Sequence, residues 1–75
     1  MTRYANLNGD SGVFSYEIAN DSIIVEFDSG TVYLYTYRSA GMSNIEQMKN
    51  LAIAGMGLCS FIGRVVKKQY DRKLR

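Results

Sequence analysis

Tyr33, Tyr35 and Tyr37 fall at every second position of "VYLYTYR", and the stretch ends on Arg38. Rings at that spacing can do one of two things in an extended strand. They fill a core from one face of a sheet, or they offer flat surfaces on which unpaired nucleic-acid bases stack. A second set supplies the cations such stacking needs. Arg64, Lys68 and Arg72 recur at every fourth position, with Lys67 beside them and Arg75 close to the same line. On a helix that spacing makes a basic ridge, able to neutralise phosphates.

Other chemistry finds little to work with. The chain of 75 residues has no histidine and a single cysteine, Cys59. A Ser-His or Cys-His nucleophile pair therefore cannot form within it, nor can a zinc site of the usual nitrogen and sulfur ligands. Glu17, Asp21, Glu26 and Asp28 fall at turns or on an open sheet face and read as solvated charges. "GMGLCSFIG" has neither the phosphate-loop spacing nor the dinucleotide fingerprint. Cys59 reads as a small packed residue. The expectation is a protein that is not an enzyme and takes no cofactor or metal.

Charge is divided unevenly behind the net +2. Residues 1–63 carry three basic and six acidic side chains, whereas residues 64–75 carry six basic and one acidic. Such asymmetry points to an anionic partner, although cations at a helix C-terminus also complement the macrodipole. A lone thiol fits a reducing cytoplasm. No stretch has the length or apolar character of a signal peptide or a membrane span, so no membrane partner is expected.

The elements that must position these residues follow from periodicity. Residues 1–11 are polar and aperiodic and read as a flexible tail. "VFSYEIA", "SIIVEFD" and "TVYLYTY" alternate with period two and are rich in β-branched and aromatic residues, as strands are. Asn20-Asp21 suits a two-residue hairpin, and Asp28 to Gly30 suits a three-residue loop closed by a left-handed glycine. In that register Ile18 faces Ile23, Tyr16 faces Val25 and Phe14 faces Phe27, while Val25 faces Tyr33 and Ile23 faces Tyr35. Tyr33 and Tyr35 then join the core face, and Tyr37 nears solvent at the strand end; a two-residue Ser29-Gly30 loop would instead move the tyrosines to the opposite face. The other face holds Ser15, Glu17, Ile24, Glu26, Val32, Leu34 and Thr36.

Ser43 to Glu46 matches a capping box opening a helix whose inner side is Ile45, Met48, Leu51, Ala52 and Met56. It should stop near Gly55 or Gly57. A second helix begins near Leu58, with Leu58, Phe61, Ile62, Val65, Val66 and Tyr70 as its apolar stripe and the basic ridge beside it. The fold class is α+β: a three-stranded antiparallel meander followed by two helices packed on one face, βββαα. One domain spans residues 12–72, with 73–75 as the chain's end.

"IIVEFDSGTVYLY", then a helix, then "GLCSFIGRVVKKQY", resembles the KTSC domain. That family is a small module found alone in bacterial and phage proteins and at the C-terminus of some lysyl-tRNA synthetases. Its hallmarks are a Tyr-x-Tyr after a small-residue-Gly turn, matched by Tyr33 and Tyr35 after Ser29-Gly30. A glycine and an aromatic then enter a basic helix, here Gly57 and Phe61, with Tyr70 closing it. Where the family often has an asparagine after that aromatic, this chain has Gly63. The resemblance implies a non-catalytic binding module, and the charge pattern makes RNA or another polyanion the expected ligand, held through Arg38, Arg64, Lys67, Lys68, Arg72 and Arg75. The alternative expectation is a protein-interaction or self-association module using the open sheet face or an edge strand.

Overall fold

Alternating apolar residues make the sheet, and its turns set which side becomes the core. The computed structural model describes residues 1–9 and 11–75. Among the described residues there are five strands, β1 (Thr2–Arg3), β2 (Val13–Ile18), β3 (Ser22–Phe27), β4 (Val32–Thr36) and β5 (Arg72–Lys73). They lie in sequence order, each antiparallel to its neighbour. The Asp28 to Gly30 loop forms as the sequence implies. Phe27 N–H donates to Thr31 O at 2.9 Å, and Gly30 turns back to Phe27 O with φ +91°.

The pairing Ile18–Ile23, Tyr16–Val25, Val25–Tyr33 and Ile23–Tyr35 is the expected one. Val13, Ile23, Val25 and Tyr35 accordingly lie buried on one face, beneath the helices. One position departs. A bulge between Val13 and Ser15 puts Val13, not Phe14, opposite Phe27. Phe14 is the extra residue of the bulge, is turned outward at 40 % exposure, and receives the Arg3 guanidinium over its ring at 4.7 Å.

Three further expectations are corrected. The sheet has five strands rather than three, because both ends of the chain add short edge strands. The segment read as a tail contributes β1 and buries Tyr4, whose hydroxyl oxygen accepts from Leu58 N–H at 3.2 Å. Asp10, within that segment, lies outside the described residues. The capping box occurs seven residues early, about two turns, and on a different helix. Thr36 and Ser39 cap a short α1 (Tyr37–Ala40), and α2 (Met42–Ala54) starts after Gly41 without a side-chain cap.

Ile45, Met48 and Ala52 bury the inner side of α2, but Met56 lies beyond its end and is exposed. Gly55 ends the helix in the left-handed region at φ +78°. Its carbonyl accepts Leu7 N–H at 2.7 Å, which pins the N-terminal segment across the helix end. α3 (Leu58–Phe61) continues as a π-helical turn, Ile62–Val66. Leu58, Ile62 and Val66 are buried at four-residue spacing, while the expected stripe member Val65 faces solvent. Lys67 N–H closes the π turn onto Ile62 O at 2.6 Å, and Lys67 itself has φ +47° and ψ −115°. The helix stops there. The chain reverses and returns along β4, with Asp71 N–H on Leu34 O and Leu74 N–H on Val32 O.

Candidate nucleic-acid interface

The reversal at Lys67 decides the fate of the basic ridge. Arg64 lies in the π turn, Lys67 caps it and Lys68 follows in the turn, all three exposed. Arg72 and Arg75 are not helical. Arg72 sits in β5 opposite Leu34, on the sheet face away from the helices, and Arg75 donates to Glu26 Oε2 at 3.3 Å. Arg38 is exposed on α1. The expected line of cations is therefore split among a helix end, an edge strand and a separate helix.

The aromatic residues are brought together instead. Tyr35 is 1 % exposed and belongs to the core. Burial pushes its phenol up to about 12, with the neighbouring Tyr33, Tyr70 and Cys59 groups adding to the shift. Tyr33, the next ring along β4, is only half-buried. It stacks on Tyr70 with centroids 4.3 Å apart and planes 32° apart, and meets Phe27 edge-on at 6.0 Å. Tyr70 in turn stands edge-on to Tyr35 at 6.3 Å. The result is a wall of rings running from the β3–β4 loop toward the β4–β5 edge.

A groove of about 390 Å³ opens against that wall, lined by Gly12, Phe27, Asp28, Ser29, Thr31 and Tyr33. Ser29 Oγ donates to Thr31 Oγ1 at 3.1 Å along its floor. In the β4–β5 ladder Lys73 is the direct partner of Tyr33, so the two side chains leave the sheet on the same face. Lys73 has no place in the site expected from sequence, because the C-terminus reads as helix and only strand pairing sets it beside a tyrosine.

Tyr37 takes no part. Its hydroxyl donates to Glu46 Oε2 at 2.5 Å, and Lys49 lies over its ring at 5.5 Å. Lys49 also meets that carboxylate at 2.8 Å and donates to Asn20 O at 2.8 Å. The Glu46 carboxyl is held below the usual range by these hydrogen bonds, first from Lys49 and then from Tyr37, while Tyr37 and Lys49 are both raised by bonding to Glu46.

Cys59 is half-buried and faces a separate recess of about 250 Å³ shared with Tyr4, Asn6, Ser11 and Ser60. Among the described residues no three metal-ligating side chains cluster, and no helix is long and apolar enough to cross a membrane. Compared with known protein families, curated proteins and solved structures, the chain matches none.

Proposed function

We propose that this chain is a KTSC-like, non-catalytic module that holds single-stranded RNA in the groove beside Tyr33. The observation that carries the reading is one half-buried ring, Tyr33, fixed from behind by Tyr70, opening on a groove and partnered by Lys73. A fixed ring lets a base stack without ordering a side chain first, and single-stranded RNA binders use such platforms beside cations. Lys73 takes the adjoining phosphate, and Lys67, Lys68 and Arg64, exposed at the end of the π turn, are the further cations this reading recruits. Asp28 at the lip of the groove repels phosphate, so a base amino group faces it and the backbone runs on the Lys73 side.

Titration of labelled single-stranded and duplex RNA at two salt concentrations tests this. Tyr33→Leu keeps an apolar side chain against Tyr70 but removes the stacking surface, which is worth roughly 1–3 kcal/mol per base, so affinity should fall about tenfold. Lys73→Gln should lower the slope of log affinity against log salt by about one contact. Absence of binding by the wild type at low salt would end the proposal. So would a Tyr33→Leu protein that binds as the wild type does.

A further inference from the structure

The sheet has a second face, turned away from the helices. Its central row crosses four strands and is fixed by pairing: Glu17 opposite Ile24, Ile24 opposite Leu34, Leu34 opposite Arg72. Read across the sheet the row is acid, apolar, apolar, base. Ile24 and Leu34 are half-buried and lie outside the helix-side core. Glu17 is exposed and makes no hydrogen bond or ion pair among the described residues, and the Arg72 side chain is 68 % exposed. Only Arg72 Nε is engaged, by Asp71 at 3.2 Å, which leaves its terminal nitrogens available.

We infer that this face binds a second copy of the same chain, two sheets packing face to face about a two-fold axis parallel to the strands. That operation reverses the row. Glu17 then lies over the partner's Arg72 at both ends, and Ile24 lies over the partner's Leu34 in the middle. The other in-plane axis, along the row, would set Glu17 on Glu17 and Arg72 on Arg72, so the charges select one arrangement. Neighbouring rows permit it. Glu26 already accepts from Ser15 Oγ at 2.7 Å and from Arg75, so it brings no unpaired carboxylate into the contact. On the other side Ser22 pairs with Thr36, and the axis lays one small hydroxyl side chain over the other.

The mixed signs favour a self-complementary partner over a polyanion, because the Glu17 carboxylate, unpaired among the described residues, would face the polyanion's charge while Glu26 is already taken by Arg75. This inference is independent of the RNA reading, whose groove lies on the helix side of the sheet. Four short strands offer on the order of 400 Å² per copy, about half of a standard interface, so the dimer is weak and depends on concentration.

Sedimentation equilibrium from about 10 μM to about 1 mM, a span matching a weak contact of this size, tests it. The wild type should pass from monomer to dimer within that range. Glu17→Arg sets like charges together at both ends of the row and should weaken association at least about tenfold, as should Arg72→Glu. The double variant Glu17→Arg with Arg72→Glu recreates the complementary row with its signs exchanged and should restore dimerisation to near the wild-type level. Arg72→Glu also adds a charge beside Asp71, so thermal unfolding of each variant accompanies the measurement, and Glu17→Arg, on β2, gives the result free of that effect. A wild type monomeric at 1 mM, as it would be if a different protein were the partner, overturns the proposal. Association unchanged in Glu17→Arg overturns it, and so does a folded double variant that fails to recover.

Discussion

Tyr35 shows how much one side chain carries in a domain this small. It is buried against Ile23 in the ladder and against the rings of Tyr33 and Tyr70. Truncation to alanine should cost about 3–5 kcal/mol, the range for buried aromatic side chains, and urea unfolding measures it. The same burial makes a prediction in alkali. An unfolded tyrosine ionises near pH 10, but Tyr35 in the fold holds its proton until about 12. Folding then retains a proton that the unfolded chain has lost, so stability is full below pH 10 and falls as pH rises toward 12. The slope should be about 1.4 kcal/mol per pH unit, and Tyr35→Phe should flatten it. At the acid end the sign reverses for Glu46, whose depressed carboxyl contributes above its unfolded value and is lost as pH falls through its folded one. Glu46→Gln should make the acid side of the profile shallower. At this scale alternation shows that Tyr33 and Tyr35 share a face, but which face depends on loop length, and the Phe27–Thr31 closure of the Asp28 to Gly30 loop settles it in favour of the core side. Lys73 was not legible, because its place beside Tyr33 depends on a strand pairing that local pattern does not announce.

Among the elements, those with clear endings were read well and those with disguised endings were not. β2, β3 and β4 announce themselves through β-branched runs bounded by Asn20-Asp21 and Ser29-Gly30. The bulge at Phe14 does not, because "VFSYE" alternates smoothly through it. β1 has two polar residues and no pattern to find. The pattern runs the last helix on to Tyr70 because no glycine or proline follows Gly63, whereas the chain stops at a lysine in a conformation glycine favours. Lys67→Gly should relieve that strain and stabilise the protein by about 1 kcal/mol, read as a rise in Tm, while removing a cation from the proposed RNA path. Gly55 gives the opposite result. Its φ is +78°, and a Cβ there would come within 2.7 Å of the Ala5 Cβ. Gly55→Ala should therefore destabilise by more than the roughly 1–2 kcal/mol of a left-handed L-residue. It should also free the Leu7 amide to hydrogen exchange, as the N-terminal segment lifts away.

For the molecule as a whole, the α+β class with an antiparallel sheet and helices followed from the order of periodic segments. The width of the sheet did not, because both edge strands are recruited by tertiary packing. That recruitment has a consequence in time. Strands β2, β3 and β4 are joined by tight turns and can pair as soon as they meet. Tyr33 and Lys73 are about 40 positions apart, and their ladder should close only after the intervening helices have docked and the chain has turned at Lys67. β5 is therefore a clasp fastened late. Lys73→Gly, which weakens it, should leave the folding rate nearly unchanged and speed unfolding, a pattern visible in the two arms of a chevron plot. The ring wall against Tyr70 and the cation beside Tyr33 both belong to that returning segment. The meander thus supplies the groove's lining early, but its backing ring and its cation arrive last and should leave first, so the completed site should persist only while a two-residue strand stays paired.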